Sequence, residues 1–156
     1  MTILLNSPAP DFSLPATDGN IITLSALKGH AVVLYFYPKD NTPGCTKQGE
    51  CFRDYHPDFT KLDAIILGVS RDSLKAHTNF KAKFNFPFEL LSDADGKVCE
   101  LYEVIKVKNL YGKQVKGIER STFLIDRNGI LRHEWRKVKV DGHINEVLST
   151  LSSLNT

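Results

Sequence analysis

Of the side chains in this 156-residue chain, its three cysteines, Cys45, Cys51 and Cys99, are the candidates for nucleophilic or redox chemistry. Cys45 has the most telling surroundings, Pro38-Lys-Asp-Asn-Thr42-Pro-Gly-Cys45-Thr. Thr42-Pro43 reads as an N-cap followed by proline at the first helical position. Cys45 then falls in the first helical turn, beside unpaired backbone N–H groups and the positive end of the helix dipole. That position favours a thiolate over a thiol, and the thiolate is the form that attacks electrophiles and takes up oxygen.

The segment before this motif, Ala31-Val-Val-Leu-Tyr-Phe-Tyr37, is continuously apolar and rich in β-branched and aromatic residues. It predicts a strand buried on both faces, as in a parallel sheet, with Pro38 ending it because proline cannot donate to the ladder. A helix over about 43–62 follows. Ala64–Ser70 predicts a second buried strand, and Asp72 or Ser73 caps a helix carrying Leu74, His77, Phe80 and Phe84. Phe86–Leu91 is a short strand candidate, and Asp93-Ala-Asp-Gly96 precedes a helix with Val98, Leu101 and Tyr102. Strands over 118–126 and 130–136 flank the turn Arg127-Asn128-Gly129, and Asp141 caps a last amphipathic helix. At the start, Asp18-Gly19-Asn20 marks a small hairpin. The order predicts an α/β fold, a central mixed sheet flanked by helices with an N-terminal β-hairpin extension, in one domain over 1–156. Cys45 lies beyond the carboxyl end of a parallel strand, where such folds place their chemistry.

A free cysteine is only about 3% thiolate at pH 7, and making it mostly thiolate requires about 3.4 kcal/mol of differential stabilisation. A helix N-terminus supplies about 2 kcal/mol at most. A second cationic donor is therefore expected. Arg120 is the candidate, because Glu119-Arg120 interrupts a strand pattern just before Phe123-Leu-Ile125. The same pattern also fits a plain surface arginine.

Hydrophobic residues at 42% and charged residues at 24% place the chain among ordinary globular proteins. With Lys+Arg 20 against Asp+Glu 18, the balance argues against nucleic acid as a partner. The basic stretch Arg132–Lys139 reads more simply as the solvated face of a strand. No apolar run nears the roughly 20 residues needed to cross a bilayer, and the N-terminus lacks the pattern of a signal peptide. A cytoplasmic location with no membrane partner is expected. An odd cysteine count argues against a structural disulfide framework. His30, His56, His77, His133 and His143 are scattered, with no zinc-ligand spacing.

The chain resembles the peroxiredoxins, thiol peroxidases on a thioredoxin-like fold, through the signature Pro38-x-x-x-Thr42-x-x-Cys45. It is most similar to their bacterioferritin comigratory protein or Q-type branch. The matching pieces are 9–15, 35–40, 42–46, Phe52-Arg-Asp54, Leu90-Leu-Ser-Asp93 and 120–126, spanning nearly the whole chain. The resemblance implies that Cys45 is the peroxidatic nucleophile, that Thr42 orients the peroxide and that Pro38 shields the thiolate. Arg120 becomes the family's active-site arginine, with backbone N–H groups near Gly44 completing the donor set. It implies reduction of hydrogen peroxide and organic hydroperoxides, regeneration by thioredoxin or another thiol, no metal, flavin or haem, and a monomer.

The branch commonly carries a resolving cysteine five residues after the nucleophile. Glu50 holds that position here, and Cys51 follows it. Six helical residues rise about 9 Å, more than the 4.4–6.8 Å Cα separation of most disulfides, so the helix must unwind for either spacing. Cys51 as resolver, recycling of Cys45 alone by an external thiol, and a role for Cys99 all stay open. Two other functions are weighed. A thiol–disulfide oxidoreductase normally needs Cys-x-x-Cys, but Cys45 is followed by Thr-Lys-Gln. A catalytically silent binding module would not need Thr42, Cys45 and Arg120 together.

Overall fold

A computed structural model of the chain describes residues 3–154. Met1, Thr2, Asn155 and Thr156, at the ends of the expected 1–156 domain, lie outside the described residues. Strands β1 (Ser13–Pro15) and β2 (Ile21–Thr23) form the expected N-terminal hairpin, with Leu14 opposite Ile22. β3 (Ala31–Phe36) is buried along its whole length. It leads into α1 (Pro43–Asp54) and α2 (His56–Lys61). β4 (Ala64–Ser70), α3 (Leu74–Phe84), β5 (Glu89–Ser92) and α4 (Lys97–Leu101) come next. The chain continues with β6 (Ile105–Leu110), β7 (Lys113–Ile118), β8 (Ser121–Ile125) and β9 (Leu131–Trp135), and ends in α5 (His143–Leu154).

The central sheet has the order β5-β4-β3-β8-β9. β3, β4 and β5 run parallel, while β8 and β9 are antiparallel to their neighbours. This is the mixed thioredoxin-like sheet that the sequence predicts. The two-residue period of a strand divides β3 between two cores. Val32, Leu34 and Phe36 pack with Leu14, Tyr102 and Phe123 on one face. Ala31, Val33, Tyr35 and Tyr37 pack on the other with Cys45, Phe52, Phe59, Phe80 and Leu151. Burying one Val, Leu or Phe contributes about 1.5–3 kcal/mol, so this strand is the structural floor under Cys45.

Three expectations are corrected, and one element lies outside them. The single helix over 43–62 is two helices, broken at Tyr55 just before Pro57. Proline tolerates the first turn of a new helix but not the interior of an old one. The strand expected at Phe86–Leu91 begins only at Glu89; Phe86 and Phe88 instead stack on each other, with ring centroids 5.2 Å apart. Asp141, expected to cap α5, turns its carboxylate to Lys47 of α1. The β6–β7 hairpin was not expected. Its turn residues Tyr111 (φ 52°) and Gly112 (φ 77°) both have the left-handed backbone that two-residue hairpin turns require.

Candidate active site

Cys45 is the third residue of α1, only 2% exposed, against the aromatic wall of β3. Tyr35 stacks on Phe52 of α1 at 4.6 Å, which fixes the helix over the strand. The loop between β3 and α1 bends through Asn41, whose φ of 59° is left-handed. Asparagine tolerates that conformation better than most residues, and the bend starts the helix directly over the end of β3.

This loop is clamped from below. Tyr37 donates to Asp40 Oδ1 at 2.6 Å, and Asp40 Oδ2 lies 2.6 Å from Nδ1 of the fully buried His77. His77 Nε2 lies 2.9 Å from the Leu91 carbonyl oxygen. The Asp40 amide donates to Asp72, which also accepts from Ser70. Asp40, Asp72 and His77 are close enough to share a metal ion, but protein groups already occupy this network as partners. It acts as a clamp that ties the active-site loop to β4, α3 and β5.

Thr42 occupies the N-cap position with extended backbone (φ −95°, ψ 156°), yet its side chain makes no cap bond. Its hydroxyl instead donates to the Lys39 carbonyl at 2.9 Å. With its proton engaged there, the Thr42 oxygen is left free to accept a hydrogen bond. Pro38 is exposed, two residues beyond the end of β3.

Arg120 precedes β8, whose first residue, Ser121, pairs with Phe36 at the carboxyl end of β3. The arginine is thereby brought to the Cys45 side of the sheet. Its Nη2 donates to Cys45 Sγ at 3.4 Å and its Nη1 donates to Gln48 Oε1 at 2.6 Å. A Cβ at Gly44 would stand 3.1 Å from Nη2, so glycine there leaves room for the guanidinium. The sequence reading missed Gln48. It is 2% exposed and fixes the arginine, and its Nε2 has no hydrogen-bond partner among the described residues. Its spacing of three residues from Cys45, on the same helical face, was the available signal.

Cys51 is half-buried, further along the intact α1, and its thiol is free. Burial holds its pKa above the ordinary value, with Asp54, Glu50 and Asp141 adding to the effect and Lys47 opposing it. Between the two cysteines, Gly49 faces Phe86; a Cβ would come within 2.4 Å of the ring. Cys99 is fully buried on the other face of the sheet, and the structure does not bring it to Cys45. His143, at the start of α5, bonds Thr122 Oγ1 at 2.8 Å. Burial, then the nearby Arg120 charge, push its pKa down to about 4.

A thioredoxin-like sheet that presents a cysteine at a helix start, faced by an arginine, defines the peroxiredoxin class. The AhpC/TSA family model matches residues 5–134, and the chain belongs to that family. The Bacillus subtilis peroxiredoxin Bcp is 52% identical over 155 residues, covering 99% of each chain. The Xanthomonas campestris peroxiredoxin Bcp is 53% identical over 152 residues, covering 96% of this chain and 95% of the relative. A structure concerned with the alkyl peroxide reduction activity of Xanthomonas campestris bacterioferritin comigratory protein superposes with a TM-score of 0.90. It shares 52% identity and covers 93% of this chain and 92% of that one. The protein is thus a thiol peroxidase of the Bcp type. Among the described residues, no helix is long and apolar enough to cross a membrane.

Proposed function

We propose that Cys45 is the peroxidatic cysteine of an enzyme that reduces hydrogen peroxide and organic hydroperoxides. The observation that carries this reading is the Arg120 guanidinium 3.4 Å from Cys45 Sγ at the start of α1. The Cys45 thiolate attacks one peroxide oxygen, forming the S–O bond as the O–O bond breaks. The departing oxygen leaves with the electron pair and takes a proton, giving water or an alcohol, while Cys45 becomes a sulfenic acid. Arg120 stabilises the charge developing on the oxygens. Thr42 accepts from the peroxide O–H, because its own proton is committed to Lys39. Pro38 limits water at the rim, and Gln48 holds Arg120 in line.

Cys51 is the resolving cysteine in this reading. Its thiol condenses with the Cys45 sulfenic acid, forming the disulfide and releasing water. α1 unwinds between the two residues, a step favoured by Gly49 because glycine destabilises a helix interior by about 1 kcal/mol relative to alanine. Unwinding also removes Cys51 from the burial and carboxylates that keep it protonated. Thioredoxin or a similar dithiol then returns both thiols and is itself oxidised to a disulfide. The enzyme works as a cytoplasmic monomer of one domain, with no metal or organic cofactor.

The test follows peroxide consumption with a thioredoxin-system reductant for wild type, Cys45→Ser and Cys51→Ser. Cys45→Ser abolishes turnover on this account; undiminished turnover would refute it. Cys51→Ser loses thioredoxin-supported turnover and regains it with a small dithiol. Full thioredoxin-supported turnover in Cys51→Ser would instead assign recycling to Cys45 alone.

A further inference from the structure

Thr42 departs from what its place in the chain calls for. A threonine at a helix N-cap with extended backbone ordinarily turns its oxygen back to an amide of the first turn. This one makes no such bond. Its hydroxyl turns away from the helix and donates to the Lys39 carbonyl at 2.9 Å. The orientation of Thr42 is thus set by Lys39 and not by α1.

That carbonyl belongs to the peptide unit joining Lys39 to Asp40. Among the described residues no peptide bond is cis. In a trans peptide the C=O and N–H point in opposite directions and share one delocalised system. A group bound at one end therefore polarises the other. Here the N–H end, on Asp40, donates to Asp72 Oδ2 at 2.8 Å. The Thr42 hydroxyl, the Lys39–Asp40 peptide and the Asp72 carboxylate stand in line, each donating toward Asp72.

Asp72 is itself firmly aimed. Ser70 Oγ donates to the same Oδ2 at 2.6 Å and accepts from the Asp72 amide at 3.1 Å. Ser92 donates to the Asp72 carbonyl at 2.7 Å. These serines end β4 and β5, so two strands of the central sheet fix the carboxylate. Holding the loop does not by itself require this contact. Tyr37 and His77 already engage both oxygens of the Asp40 carboxylate. Asp72 adds a negative charge at the amide end of the peptide whose carbonyl end holds Thr42.

We infer that Asp72 is a positioning residue of the peroxide step, acting through the Lys39–Asp40 peptide on Thr42. The carboxylate makes the Lys39 carbonyl a stronger acceptor, and the carbonyl draws on the Thr42 proton. The Thr42 oxygen then accepts more strongly from the O–H of the peroxide. No proton leaves any of these groups, and Asp72 acts on the peroxide only through Thr42. The inference rests on the peroxidase reading above, in which Thr42 orients the peroxide.

A double-mutant cycle separates this relay from general support of the loop. The proteins are wild type, Asp72→Asn, Thr42→Val, Thr42→Ser, and Asp72→Asn combined with each Thr42 change. Asp72→Ser replaces Asp72→Asn throughout if circular dichroism shows the asparagine variant unfolded. Single-turnover oxidation of Cys45 by hydrogen peroxide is followed by stopped flow. Alkylation of Cys45 by iodoacetamide, assigned by peptide mass spectrometry, is timed in parallel. It consumes the thiolate without the peroxide O–H that Thr42 accepts. The account predicts that Asp72→Asn slows oxidation by about fivefold, the scale of exchanging a charged acceptor for a neutral one. Alkylation stays at the wild-type rate. With Thr42→Val, which has no hydroxyl, Asp72→Asn brings no further slowing. With Thr42→Ser, which keeps the hydroxyl, the slowing of about fivefold returns. Equal slowing with and without the hydroxyl would overturn the inference. So would a parallel loss of alkylation, which assigns Asp72 a structural role. If peroxide leaves Cys45 of the wild type unoxidised, the peroxidase reading falls and the inference with it. An undiminished oxidation rate in Asp72→Asn overturns the inference alone.

Discussion

Two cysteines in this molecule occupy nearly the same local position and face opposite electrostatics. Cys45 is the third residue of α1 and Cys99 the third residue of α4, and they are 2% and 0% exposed. Both lie in the first turn of a helix, where backbone N–H groups favour an anion. At α1 the charged group next to the sulfur is Arg120. At α4 it is Asp93, whose carboxylate accepts from the amides of Val98 at 3.2 Å and Cys99 at 2.7 Å. Asp93 thus takes the anion position for itself. Burial first, then the hydrogen bond and charge of Asp93, push the Cys99 thiol far above its ordinary pKa. A helix start does not by itself make a reactive cysteine. At Cys99 burial and then the Asp93 carboxylate oppose the anion, while at Cys45 the Arg120 guanidinium faces the sulfur.

The most damaging way to break this contrast, short of removing Cys45, is to remove its cation. Arg120→Met is expected to slow Cys45 oxidation by about 10²–10³-fold, the scale of losing one donor that stabilises developing charge. Stopped-flow measurement at varied peroxide concentration checks it, and circular dichroism shows whether the fold is kept. A smaller effect comes from the other helix. Asp93→Asn leaves two buried amides with a weaker acceptor and costs about 2 kcal/mol of stability, read from urea unfolding. Because burial is the leading cause at Cys99, its thiol stays unlabelled by a thiol reagent in the folded variant. Ready labelling would show that the carboxylate, and not burial, silences it.

The smallest effect is a pH dependence behind Arg120. His143 has a folded pKa of about 4 against an ordinary 6.5. Between those values the unfolded chain binds the proton and the folded chain does not. This group's contribution therefore falls as pH drops from about 7 to about 4, and levels off below that. His143→Gln flattens that part of the stability profile, measured by chemical unfolding at a series of pH values.

The central sheet was legible because β3 and β4 are short, unbroken apolar runs that fit only a buried strand. Cys45 was legible because Thr42-Pro43 announces a helix start. The need for a cation also followed from local energetics, and the local pattern offered Arg120, which the family resemblance then favoured over a plain surface arginine. Gln48 escaped notice since a polar residue on a helix reads as solvated until the partner across 72 residues is known. The Asp40–His77 clamp was hidden for the same reason, its members lying 37 residues apart. The β6–β7 ribbon was missed although Ile105-Lys-Val-Lys108 alternates with the two-residue period of a strand and Tyr111-Gly112 offers a turn. Pro57 did carry the break between α1 and α2, and the helical apolar pattern around it obscured that break.

The account stands most directly on which sulfur peroxide oxidises first. One equivalent of hydrogen peroxide is added to the fully reduced protein in the presence of a sulfenic-acid trap. The position of the adduct is then read by peptide mass spectrometry at the earliest resolvable time. The account predicts the trapped sulfenic acid on Cys45, with Cys99 unmodified and Cys51 appearing only afterwards, in a disulfide with Cys45. First oxidation at Cys51 or Cys99, with Cys45 still a free thiol, would contradict it.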